Sequence, residues 1–98
     1  MLFAVRFTDK PDTQAIRQQF MQAHLEWLDQ NQSAVLVGGP LREEMDGAAV
    51  GSMWVVEAES RDAVVALIDT DPFWIEGLRA GCEILHWIKA RPQRQALV

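Results

Sequence analysis

Four short runs rich in β-branched and aromatic residues constrain this chain most, because each is apolar on both of its faces. The first, Leu2 to Thr8, carries Phe3, Val5 and Phe7 against Leu2, Ala4 and Arg6, and ends at the turn cluster Asp9-Lys10-Pro11-Asp12. The second, Ser33 to Leu41, runs apolar through Ala34, Val35, Leu36 and Val37 before Gly38-Gly39-Pro40 breaks it. The third, Gly51 to Ala58, centres on Met53-Trp54-Val55-Val56. The fourth, Cys82 to Lys89, sets Cys82, Ile84, His86 and Ile88 against Leu85 and Trp87. An antiparallel sheet with one face in water alternates apolar and polar residues, so a sheet made of these strands needs cover on both sides.

Helical patterns separate the strands. From Asp12 or Thr13 to about Asn31, Ile16, Phe20, His24, Trp27 and Leu28 recur at the spacing of one helix face. Ser60-Arg61-Asp62 opens a second helix with Ala63, Val64, Leu67 and Ile68 on its apolar side. The order strand, helix, strand, strand, helix, strand predicts an α+β fold, a ferredoxin-like βαββαβ unit with an antiparallel sheet. Two helices cover one face of four strands. Leaving the other in water forfeits about 25 cal/mol for every Å² of apolar surface, so a homodimer or higher homo-oligomer packed sheet on sheet is expected, with Val35 or Leu36 facing the partner. Residues 1–90 read as a single domain and 91–98, with Pro92, as a loosely held tail.

The formal net charge of -5 argues against nucleic acid as a partner. The single cysteine, Cys82, excludes an internal disulfide, and the apolar run from Met1 to Val5 is too short for a signal peptide or a membrane span. A cytoplasmic protein that meets neither membrane nor nucleic acid is expected. Two histidines 62 positions apart give no zinc-like spacing, so no metal is expected. No phosphate-cradling loop precedes a helix, and no cofactor is expected.

Asp71-Pro72 is a helix start, with the carboxylate free to cap the first turn and proline suited to the first helical position. His24 lies on or beside the buried stripe of the first helix, where a histidine is ordinarily a core residue satisfied by a hydrogen bond, and Asp71 is the candidate partner. Arg17, two turns before His24, points the same general way, although on its own it reads as a solvated or salt-bridged surface arginine. Gly38 and Gly39 permit a close approach of backbone or ligand, or mark a bulge or turn. The tip Arg42 to Val50 is either a gate or an ordinary exposed hairpin. Cys82 reads as a small buried hydrophobe, and Ser52 lacks a nucleophile setting and serves at most as a hydrogen-bond donor.

Arg17 through His24, Gly39-Pro40, Gly51-Ser52 and Asp71-Pro72-Phe73, in this order and at these separations, resemble the YciI-like family (YCII-related domain) over Leu2 to about Lys89. The resemblance implies a dimeric α/β barrel in which two ferredoxin-like sheets pack together, and an active-site pair falling on His24 and Asp71. Arg17, Gly39, Pro40, Ser52 and Phe73 are the binding residues to expect beside that pair. Family members are similar in fold to muconolactone isomerases, and a dehydrochlorinase acting on a chlorinated aromatic is known among relatives. Two departures are visible: His86 stands where proline is expected, adding a second titrating group, and no tyrosine lies near Trp27. The expected function is that of a cofactor-independent enzyme using His24 and Asp71 for general acid/base chemistry, an elimination or isomerisation on a small aromatic or acidic metabolite. The alternative is a non-catalytic module that holds such a ligand in the same cleft.

Overall fold

The computed structural model describes residues 1–94 and contains, in chain order, β1 (Leu2–Asp9), α1 (Gln14–Gln30), β2 (Val35–Leu41), β3 (Gly51–Glu57), α2 (Arg61–Ile68), α3 (Pro72–Ile75) and β4 (Arg79–His86). The strands form one sheet in the order β2-β3-β1-β4 with every neighbouring pair antiparallel, the ferredoxin-like arrangement that is the subunit fold of dimeric α/β barrels. Residues 95–98, the end of the expected tail, lie outside the described residues.

Cross-strand register sorts the side chains. Val5 lies opposite Trp54 on one side and Ile84 on the other, and Phe3 lies opposite Val56, so these residues share a face. That face holds the core, where Phe3, Val5, Phe7, Trp54, Val56 and Val64 are buried. The opposite face carries Leu2, Ala4, Val37, Met53, Val55 and Leu85, broken by Arg6 opposite Glu83. Val37 and Leu85 are 41% and 55% exposed, so among the described residues nothing covers this apolar side.

Three strand boundaries differ from the sequence reading by more than one residue. Strand β2 starts at Val35, because Ala34 and Val35 still donate to the Asn31 carbonyl in the turn that leaves α1. A bulge then takes up Leu36 between the pairs Val35–Val56 and Val37–Val55, so Val35 faces the core and Val37 the open side. Strand β4 begins three residues earlier than expected and ends at His86, because Arg79 pairs with Asp9 across a second irregularity. Ile88, placed by alternation on one face with Cys82, Ile84 and His86, lies past the strand and is exposed.

Glycine is needed at two places. A Cβ at Gly51 would lie 2.1 Å from the Phe7 carbonyl oxygen, so only a residue without one lets β1 and β3 approach here. Gly77 has φ +81, the left-handed conformation that ends α3, where the Leu78 N–H returns to the Phe73 carbonyl at 3.0 Å.

Candidate functional site

Helix α1 sets Arg17 and His24 on one face because seven residues are close to two turns. Both are buried at 7% exposure, which corrects the reading of Arg17 as a surface arginine. The helix is held there by α3 and the segment before it. The Trp27 indole N–H donates to Thr70 Oγ1 at 2.9 Å, and the His24 ring stacks on Phe73 with centroids 4.1 Å apart.

Asp71 caps α3 as expected, with Oδ1 accepting from the Phe73 N–H at 3.2 Å. The same oxygen lies 2.6 Å from His24 Nδ1, and Asp71 has no exposure at all. One carboxylate therefore starts the helix and engages the histidine.

Behind the pair lies a second layer that the sequence reading missed. Arg79 Nη1 donates to Ser52 Oγ at 2.8 Å and to Asp9 Oδ1 at 3.2 Å, while Arg17 Nη2 donates to Asp9 Oδ2 at 2.6 Å. Arg79 Nη2 faces Asp71 Oδ2 at 3.8 Å, both atoms sealed and without a hydrogen bond among the described residues. The Arg79 guanidinium lies over the Phe7 ring at 4.4 Å, and both arginines lie 5.2 Å from the Phe73 ring centre. Burial lowers the Arg79 pKa from its ordinary value, opposed by the charges of Asp71 and Asp9. Asp9 reads from the sequence as part of a turn, and Arg79 lies ahead of the expected start of β4 at Cys82; the two meet because the register of β1 against β4 shifts between Thr8 and Asp9.

A cavity of about 120 Å³ opens beside His24. It is lined by Arg17, His24, Gly39, Pro40, Ser52 and Phe73, together with Arg42, Gly38 and the aliphatic side chains of α1. The structure thus gathers all five residues expected to bind around His24, with Asp71 behind the wall. A shallower hollow of about 370 Å³ under the β2–β3 tip shares Pro40 and Arg42 with it but holds Glu43, Glu44 and Met45 instead of the histidine. The more enclosed of the two, although smaller, is the one next to the buried pair.

Two other candidates fall elsewhere. His86 pairs with Phe3 at the far end of β4, seven residues and roughly 20 Å from Arg79, and tilts against the Phe3 ring. Cys82 is exposed, which corrects the buried reading, and partial burial still pushes its thiol pKa up. Among the described residues no three His, Cys, Asp or Glu side chains cluster to hold a metal, and no helix is long and apolar enough to cross a membrane.

No curated protein matches the chain. Among solved structures it is similar to the 5-chloro-2-hydroxyhydroquinone dehydrochlorinase of Burkholderia phenoliruptrix AC1100, determined in complex with 2,5-dihydroxybenzoquinone. The TM-score is 0.81 at 33% identity, with 90% of this chain and 94% of that chain covered. The family model of the YCII-related domain matches residues 1–88, a span that takes in all the strands and helices described above. The chain belongs to the YCII-related domain family.

Proposed function

We propose that this chain is a small cofactor-independent enzyme in which His24 acts as general base, and then as general acid, in an elimination or isomerisation of a small aromatic or acidic metabolite. The observation that carries the reading is the 2.6 Å contact between His24 Nδ1 and a fully buried carboxylate, on a histidine that lines a cavity. Asp71 Oδ1 already accepts from the Phe73 N–H at the start of α3, so the carboxylate is the acceptor and Nδ1 carries the proton. The lone pair is then on Nε2. This nitrogen removes a proton from a substrate carbon or hydroxyl, and the freed electron pair forms a C=C or C=O bond as the leaving group departs as an anion. In an isomerisation the proton returns from Nε2 to another carbon. The imidazolium formed in between is stabilised by Asp71, which keeps its own charge.

The dehydrochlorinase neighbour supports the elimination and the aromatic substrate, and its 33% identity extends over nearly the whole chain. The same reading includes a homodimer joined through the open sheet face, supported by the apolar residues there that no described residue covers. The test is a turnover screen of chlorinated hydroquinones and related enol and ring acids, with His24→Ala and Asp71→Asn beside the wild type. Each substitution is expected to lower kcat by roughly 10²- to 10⁴-fold. Turnover that survives the loss of His24 removes the base assignment and leaves the non-catalytic binding module in front.

A further inference from the structure

We propose that Arg79 is a positioning residue that acts on His24 through Asp71: it balances the charge of the carboxylate, so that the imidazole rests neutral with Nε2 free to take a proton; the proposal rests on reading His24 as the base. Arg79 does not line the cavity, and its side chain is sealed from water. Its guanidinium is clamped. Nη1 donates to Ser52 Oγ and Asp9 Oδ1, and Cζ lies 4.4 Å from the centre of the Phe7 ring. Nη2 is thereby left 3.8 Å from Asp71 Oδ2. That separation is too long for a hydrogen bond and short for a pair of charges. Arg79 therefore supplies charge without competing for Oδ1, the oxygen that engages His24 Nδ1 and the Phe73 N–H.

The charges behind His24 cancel. Two carboxylates, Asp9 and Asp71, face two guanidiniums, Arg17 and Arg79. A sealed carboxylate without a counter-charge takes up a proton or holds one on its neighbour, because an isolated charge is costly away from water. With Arg79 in place Asp71 already has its counter-charge, and a proton arriving on His24 from solvent adds a charge that nothing behind the ring cancels. In turnover the balance differs: the proton taken by Nε2 leaves a negative substrate beside it, and the sum is unchanged. Arginine suits this position because a guanidinium stays charged where burial would strip the proton from a lysine.

The other neighbours of the ring do not supply this balance. Phe73 and Trp27, which stack on it, are uncharged. Arg17, on α1 with His24, is bound through Nη2 to Asp9. Arg42, from the β2–β3 tip, lines the same cavity but is exposed, so water and salt screen it. The lining holds no carboxylate. Asp71 is thus the acidic group in contact with His24, and Arg79 is the cation paired with its second oxygen.

NMR titration of the two histidines in the full chain tests this without a substrate, with His86 at the far end of β4 as the internal control. In the wild type the His24 ring is expected to be neutral at neutral pH. Arg79→Met removes the charge and keeps the length; it should raise the midpoint of the His24 titration by about one pH unit or more and leave His86 in place. Asp9→Asn removes a carboxylate from the same cluster and should move the His24 midpoint the opposite way. The double variant, in which the charges cancel again, should return it toward the wild type. A role confined to holding the fold predicts no such opposed pair. The proposal is overturned by a charged His24 ring in the wild type at neutral pH, by a folded Arg79→Met that titrates like the wild type, or by His24 and His86 moving together. The wild-type spectrum decides even where a variant fails to fold. A titration that moves as expected in a protein that turns over nothing contradicts the base assignment and leaves the coupling to Arg79 standing.

Discussion

Asp9 illustrates how much one residue holds. Its two carboxylate oxygens bind Arg17 and Arg79, which are both nearly sealed from water. Removing the charge leaves two buried guanidinium groups with too few acceptors, and breaking such a buried arrangement costs about 3–5 kcal/mol. Asp9→Asn is therefore expected to lower the urea midpoint by that equivalent, whereas Asp12→Asn, at an exposed position, should leave it within about 0.5 kcal/mol. Equal effects of the two substitutions would mean that the arginines are satisfied some other way. The same carboxylate also orients Arg17, so Asp9 shapes the cavity without lining it.

At the scale of elements, the sheet depends on one contact of β1 with β3. Gly51→Ala would drive its Cβ into the Phe7 carbonyl and push the two central strands apart, at a cost of about 1–3 kcal/mol or more. Gly39→Ala meets nothing within 4 Å and should be nearly neutral; thermal melts of the two variants read the difference directly. The contrast also marks what was legible in the chain. The helix face with Arg17 and His24, the Asp71-Pro72 start and the two-sided strands all follow from spacing and cap chemistry, which act locally. The bulge at Leu36 does not, because it is set by how β2 must meet β3, and a stretch of consecutive apolar residues carries no mark of which one is extra. The Asp9–Arg79 pairing was invisible for a related reason: it depends on an irregularity between Thr8 and Asp9 that shifts the register of β1 against β4. Ser52 was legible as a donor, but the arginine that orients it was not.

For the whole molecule, the decisive feature is the uncovered sheet face with Leu2, Val37, Met53, Val55 and Leu85. A homodimer through this face should bury roughly 2,000 Å² or more, so sedimentation is expected to give a dimer at micromolar concentration and Val55→Asp to dissociate or unfold it. A stable wild-type monomer would contradict the pairing of sheets. In the proposed mechanism the layers behind His24 keep a proton on Nδ1 and a lone pair on Nε2. Nitrogen-15 NMR of the neutral His24 ring measures this directly and needs no substrate. The account predicts the Nδ1–H tautomer in the wild type and its loss or mixing in Asp71→Asn; a proton found on Nε2 of the wild-type ring would contradict it.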